Sequence, residues 1–354
     1  MQQINSVNRK SNNFDFIRFV AASFVIITHM QALMGWGSCD ALCTISQRTL
    51  QFSHLGVVVF FTISGYLIAQ SLVKSQTYAG YLWKRCLRIF PGLLVVLLLS
   101  MLVLGPLVTT LTPRQYFGSI QTWEFLLTIS LYKLHLNLPG VFESNPVFSS
   151  LNGSLWTLAY EFSCYLLLLI AGITGIIKKP WMLLLAWLFA FSLRAYLGDK
   201  IFVYDYGAPW LLGLNIRYCL EYGMFFLSGS LLYLYHDKIR YEFKWFLLAM
   251  MLMVGSLFIS PSLGRLSHFI GIPYVVFYLS FLPGTLNRWG KYGDFSYGIY
   301  IYAYPVQQTL IYLFGLSLGL PLMTLLAFVI TLPLAVLSWH LVEKRALTYK
   351  DLVK

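Results

Sequence analysis

Arg18 and His29 lie eleven residues apart in FDFIRFVAASFVIITHM, residues 14–30, a stretch otherwise apolar enough to cross a bilayer. At about 100° per residue their side chains fall within about 20° of one another on a helix, about 16 Å apart along its axis. They share a stripe without touching and can line one cavity from two depths. An imidazole, with an ordinary pKa of about 6.5, is suited to moving a proton near neutral pH. A guanidinium offers a planar fork that fits a phosphate or a carboxylate. A carboxylate, Glu161, sits in SLWTLAYEFSCY at residues 154–165, and a second histidine, His54, opens another apolar run. Arg85 and Arg88 stand three apart in YLWKRCLRIFPG, residues 81–92. On a helical turn they are neighbours, and two forks on one patch suit phosphate.

A charge in hydrocarbon costs several kcal/mol unless it faces a cavity or a partner, so each of these groups is a candidate functional residue. Plainer explanations stand beside that reading. Arg18 alone is accounted for by snorkelling to the inner headgroups, His29 by a hydrogen bond within a bundle, and the Arg85 and Arg88 pair by the positive charge of cytoplasmic loops. Glu161, about two turns into its segment, is harder to explain without a partner.

The elements that must position these residues follow from composition. The 354 residues are 58% hydrophobic and 11% charged, with a mean hydropathy of +0.70. A soluble domain carries about 25% charged residues, so the chain is an all-α integral membrane protein. The net charge of +12 is what cytoplasmic loops contribute and does not call for nucleic acid. Five cysteines, none in a CxxC or a Cys/His zinc spacing, give no metal site. Cys39 and Cys43 are expected as free thiols, although the loop that holds them, placed outside, would permit a disulfide. The first thirteen residues contain no apolar signal core, so the first hydrophobic segment is expected to remain as a membrane helix.

Apolar runs predict about ten transmembrane helices, at 15–34, 55–73, 89–110, 153–177, 181–197, 218–235, 244–261, 267–286, 294–314 and 320–341. The shorter run 123–135, with Glu124, Lys133 and His135, reads as re-entrant or interfacial. With both termini cytoplasmic, seventeen of the 25 lysines and arginines fall on the inner side and seven on the outer, Arg18 being within the first helix. The outer connection 111–152 is long for a simple turn and reads as either a lid or an ordinary loop. No repeat, linker or separate soluble domain is visible, so 1–354 reads as one domain.

These residues, in this order, resemble the membrane acyltransferase 3 family. The likeness rests on Arg18 and His29, on GVVVFFTISGYLI at 56–68, and on RCLRIFP with Arg85, Arg88 and Pro91. It continues with Trp156, Leu158, Glu161 and Tyr165 in LWTLAYEFSCY, with FSYGIYIYAYP at 295–305, and with WHLVEKRAL at 339–347. Together they span about residues 13–347. Members often carry a histidine two residues before the proline of the late helix, where this chain has Ala303. Longer members append an esterase-like domain, whereas this chain is expected to act as a membrane domain, alone or with a partner.

The resemblance implies O-acyl transfer from cytoplasmic acyl-CoA, most simply acetyl-CoA, to a hydroxyl of a carbohydrate acceptor, often lipid-linked, at a bacterial inner membrane. His29 is then the expected general base, with Glu161 holding its tautomer as a carboxylate does in a triad. Arg18 is expected to face the donor, and Arg85 and Arg88 to bind its phosphates. Tyr297, Tyr300 and Tyr302, with His54, are the expected acceptor contacts, and Tyr304 stands on the same helix. Polar residues lining a helical bundle serve conduction equally well, so a flippase for a lipid-linked sugar is the competing expectation.

Overall fold

In a computed structural model, residues 12–148, 150–198, 210–211 and 213–353 are described. Arg9, Lys10, Lys200 and Lys354, counted above for topology, lie outside the described residues. Among the described residues ten helices reach fifteen residues or more, each overlying one of the ten predicted segments. They are α1 (Phe14–Leu33), α2 (Phe52–Lys74), α3 (Tyr78–Val108), α4 (Trp156–Ile173) and α5 (Pro180–Leu197), followed by α6 (Ile216–Leu234), α7 (Phe243–Leu257), α8 (Pro261–Ser280), α9 (Ser296–Phe314) and α10 (Gly319–Leu347). A two-residue antiparallel pair, Trp210–Leu211 with Leu214–Asn215, leads into α6.

The helix boundaries follow local chemistry. The Thr77 hydroxyl accepts from the Gly80 N–H to start α3, Asn215 accepts from the Arg217 N–H to start α6, and Ser260 accepts from the Leu263 N–H to start α8. Proline at the first turn opens α5, and Gly175, at φ +76°, marks the turn after α4. Both α3 and α10 pass through a π-helical turn, at Ser100–Leu104 and Trp339–Glu343.

Six of these helices (α1 to α5 and α10) are long and apolar enough to cross a membrane, or seven when α8 is taken with the bent turn Thr285–Lys291. The protein is therefore a helical membrane protein. The shortfall against ten has a physical cause. Helix α9 is enclosed by other helices, and Gln307, Gln308 and Ser296 are wholly buried among protein groups, so it need not be apolar all round. Helix α7 is short, at 15 residues. By contrast α5 and α10 leave bulky apolar side chains outward, Phe189 and Leu325 among them, as a lipid-facing surface requires.

Helix α2 lies at the centre, against α1, α4, α6 and α8. Small residues set how closely the backbones approach. A Cβ at Gly65 would collide with the Phe226 carbonyl, one at Gly229 with the Thr62 carbonyl, and one at Gly56 with the Ala21 carbonyl. Lipid tails are as apolar as leucine, so helices in a membrane are held by such close packing and by polar contacts.

The connection 109–152, expected on the outer side, is fastened to α9. Asn152 Nδ2 donates to the Ile301 carbonyl at 2.8 Å, and Gln308 Nε2 donates to the Val147 and Ser150 carbonyls, each at 2.8 Å. Within it Ile120–Glu124 and the 3₁₀ turn Phe125–Ser130 are too short to span. The expectation of free thiols at Cys39 and Cys43 fails, because they form a disulfide. Asp40 accepts from the Cys43 N–H and caps the single turn Ala41–Ile45, bringing the two Cα atoms to 5.1 Å.

Two substitutions on α6 test the crossing with α2. Gly229→Val forces the backbones apart and is expected to cost about 1–3 kcal/mol, seen as a lowered unfolding temperature in detergent. Gly223→Val, where no atom lies within 4 Å of the new Cβ, is expected to leave it unchanged. Equal behaviour of the two would remove the crossing from the account.

Candidate active site

Two cavities lie along the stripe that α1 presents. The one towards the side expected to be cytoplasmic, termed inner, is about 240 Å³ and is lined by Arg18, Ser64, Lys84, Arg85, Arg88, Glu161, Tyr165, Tyr297 and Lys350 with apolar neighbours that include Phe60. The outer one, about 640 Å³, is lined by His29, Arg48, Gln51, His54, Trp156, Thr157, Arg217, Tyr218, Glu221, Tyr222, Arg265 and Tyr300 among others. The expectation that Arg18 and His29 line one cavity is corrected: they open into two, one above the other. Phe60 of the inner wall and Tyr300 of the outer wall meet with ring centroids 6.2 Å apart and stand between them.

At the foot of the inner cavity the Asp294 carboxylate takes both Arg18 Nη1 and Arg88 Nη2, the latter at 2.5 Å. Its second oxygen accepts from the Ser296 hydroxyl and, at 3.3 Å, from the Ser296 N–H. Burial by itself would raise the Asp294 carboxyl, but the Arg18 and Arg88 guanidiniums outweigh it and hold the group well below the usual carboxylate range. Arg88 also faces Glu343, at 3.8 Å, and Glu343 accepts from the Ser338 hydroxyl at 2.8 Å.

Arg85 and Arg88 therefore differ. The Arg88 fork is committed to carboxylates, whereas Arg85 reaches Ser71 Oγ at only 3.5 Å and its buried Nε has no hydrogen-bond partner among the described residues. The expected pair of equal forks reduces to one guanidinium with donors to spare, beside Lys84 and Lys350.

Glu161 does not hold His29. Its Oε1 accepts from the Ser64 hydroxyl at 2.8 Å and the Tyr165 hydroxyl at 2.5 Å, in the wall of the inner cavity. Four residues along α4 advance the chain by about 6 Å, so Thr157 opens on the outer cavity and Glu161 on the inner one. His29 instead packs edge-on to Tyr304, ring centroids 5.4 Å apart. Of the two histidines lining the outer cavity it is His54 that meets a carboxylate, its Nε2 lying 2.9 Å from Glu221 Oε1.

The expected acceptor tyrosines separate, Tyr297 and Tyr300 by depth along one face and Tyr302 by helical phase. Tyr300 lines the outer cavity and donates its hydroxyl to the Ser154 carbonyl. Tyr297 lines the inner one and donates to the Ile89 carbonyl at 2.7 Å. Tyr302 stands about 200° round the helix from Tyr300 and is buried in the core, away from both cavities, which corrects its assignment. Among the described residues the connection 111–152 contributes nothing to the outer cavity; residues 48–51 line it instead.

Sequence reasoning missed Asp294, Glu221 and the role of Glu343. A signal existed for Asp294. The chain has 13 acidic residues, and an arginine buried in the first helix needs one of them.

The chain matches the family model described as an acyltransferase domain over residues 11–340. It is 30% identical over 347 residues to a protein of Shigella phage Sf6 named O-acetyl transferase, covering 96% of this chain and 97% of that one. It is 29% identical over 371 residues to nodulation protein 10 of Rhizobium leguminosarum bv. viciae, covering 95% and 93%. No solved structure matches.

Asp294→Asn leaves two buried guanidiniums facing each other and is expected to destabilise the fold by about 3–5 kcal/mol, with Asp294→Glu retaining part of the loss. Thermal unfolding in detergent reads this. An Asp294→Asn protein as stable as the parent would show that the cluster does not hold the helices.

Proposed function

The chain belongs to the membrane acyltransferase 3 family and is an O-acyltransferase, and from that premise we propose that it moves an acetyl group from cytoplasmic acetyl-CoA to a carbohydrate hydroxyl presented from outside a bacterial inner membrane. The acetyl group follows the name of the phage relative. Ten spans with both termini cytoplasmic fit the excess of Lys and Arg in the segments assigned to the inner side, and the whole chain serves as one transferase domain. An O-acyltransferase leaves the flippase reading without support.

One observation carries this reading: two cavities stacked along α1, the inner one cationic and the outer one holding His29. Coenzyme A brings several phosphate charges, and Arg85, Lys84 and Lys350 are the groups that receive them. Its acyl arm points towards Phe60 and Tyr300. The acceptor enters the outer cavity against Trp156 and the tyrosines. His29 takes the proton of the acceptor hydroxyl as its oxygen attacks the thioester carbonyl. The tetrahedral intermediate collapses, the carbon–sulfur bond breaks, and the imidazolium returns the proton to the departing thiolate. Tyr304 fixes the plane of the imidazole by packing, in the place where Glu161 was expected to do so by a hydrogen bond. Arg18 acts from below through Asp294, which fixes the α1 stripe against α3 and α9.

His29→Ala and Arg85→Ala are expected to fail differently. The first loses about 10² to 10⁴ in transfer rate while binding acetyl-CoA as the parent does. The second weakens acetyl-CoA binding at least tenfold, as loss of a charge-assisted hydrogen bond of about 1.5–3 kcal/mol requires. Calorimetric acetyl-CoA binding beside acetyl transfer to glycan, followed by mass spectrometry, separates them. A fully active His29→Ala enzyme would overturn the mechanism.

A further inference from the structure

The cations of the inner cavity stand at different depths. Arg85 has its Nε buried, Lys84 is half-buried and Lys350 is exposed. Lys350 comes from beyond α10. The last turn of that helix brings Leu347 to the cavity, and residues 348–353 then run along the start of α3 towards its N-terminus. They are fastened there at two points: Trp83 Nε1 donates to the Tyr349 carbonyl at 2.9 Å, and the Val353 carbonyl lies so close to Gly80 that a Cβ there would meet it at 2.7 Å. Between these points Lys350 lines the cavity with Lys84, whereas Asp351 is exposed and outside the lining. The rest of the hold is local, with the Thr348, Tyr349 and Leu352 N–H groups donating to the Arg345, Ala346 and Tyr349 carbonyls, and the Tyr349 and Leu352 side chains are exposed. A segment held so lightly opens at little cost. With it in place the cavity holds about 240 Å³. Pockets that enclose a drug-sized ligand hold about 300–1,000 Å³, and coenzyme A is larger than such ligands. A pantetheine arm enters so small a space, but the nucleotide end must lie at the mouth, where this segment stands.

We propose that residues 348–353 form a strap that swings aside for the donor and closes over its nucleotide end, with Lys350 and Lys84 holding the phosphate on the ribose. The inference rests on reading this cavity as the acyl-CoA site and adds how that donor is recognised and retained. The order of the phosphates matches the order of the cations. In coenzyme A the diphosphate is nearer the thiol and the ribose 3′-phosphate farther from it. With the acyl arm towards Phe60, the diphosphate meets the buried Arg85 fork and the ribose phosphate meets the lysines at the mouth. Lys84 and Lys350 carry like charges into one opening, and a phosphate between them turns that repulsion into attraction. Binding therefore draws the strap shut. A donor without the ribose phosphate lacks this latch, so the strap selects acyl-CoA over shorter acyl thioesters.

The test gives the full-length protein in detergent either CoA or dephospho-CoA, which lacks only the ribose phosphate. Binding is measured by calorimetry on the parent, on Lys350→Gln and on Gly80→Ala, and amide hydrogen exchange over residues 346–353 is followed in each. Gly80→Ala suits a helix and keeps every lysine of the cavity, but it drives the Val353 carbonyl away from α3. The parent is expected to bind CoA about fivefold or more tightly than dephospho-CoA, the size of a partly exposed charge contact. CoA is expected to slow exchange in the strap more than dephospho-CoA does. Lys350→Gln is expected to lose most of the preference while binding dephospho-CoA as the parent does. Gly80→Ala is expected to exchange faster in the strap without ligand and to lower the preference as well. A parent with no preference, strap exchange that CoA leaves unchanged, or variants that keep the full preference or lose both ligands alike would overturn the strap and leave the donor reading standing. A parent that binds neither CoA nor dephospho-CoA would overturn the donor reading itself.

Discussion

The structure turns on one carboxylate. Asp294, just ahead of α9, receives guanidiniums from α1 and α3, and Glu343 of α10 approaches the second of them. Helices α1, α3 and α10 and the start of α9 meet there. A guanidinium buried alone in this setting would be strongly unfavourable, and breaking a buried pair costs more than the pair contributes when intact. The value of Asp294 lies in making α1 and α3 tolerable side by side. Once Arg18 and Arg88 are satisfied by it, Arg85 and the nearby lysines are left for the donor phosphates proposed above, and the stripe of α1 is held in one rotational setting.

That setting matters because α1 presents chemistry at two depths. Arg18 looks into a small cationic cavity and His29 into a larger one, and an aromatic wall divides them. The transfer proposed above uses these two compartments, one for each substrate, with the aromatic wall between them keeping water from the reacting carbonyl. Helix α2, central and glycine-punctuated, supplies Phe60 to the wall and Ser64 to the inner cavity, while α9 supplies Tyr297 and Tyr300 on one face. The close crossing of α2 and α6 carries Glu221 up to His54.

Much of this was legible in the amino-acid order, for reasons of period and composition. Runs of apolar residues located every long helix, and eleven residues of helical phase put Arg18 and His29 on one stripe. What phase does not give is depth across helices. Glu161 was matched to His29 because both are ionisable and both are in spans, yet the offset of α4 puts Glu161 beside Arg85. Tyr302 shared a motif with Tyr300 but not a face. The partners Asp294 and Glu221 fall near the ends of predicted segments and were missed because nothing within one segment shows which arginine or histidine another segment brings opposite it. The Cys39–Cys43 bond depends on a turn nucleated by Asp40, a local feature that cysteine spacing alone leaves open.

The central claim is that donor and acceptor occupy opposite faces of one membrane domain and meet at the wall between the cavities. Proteoliposomes containing the purified protein in a single orientation test it most directly, with acetyl-CoA supplied to one side only and the glycan acceptor to the other. Acetylation is expected when acetyl-CoA is on the face bearing Lys84, Arg85 and Lys350 and the glycan on the face bearing Arg48. Transfer that proceeds equally with the two substrates exchanged, or only when both are on the same side, would contradict it.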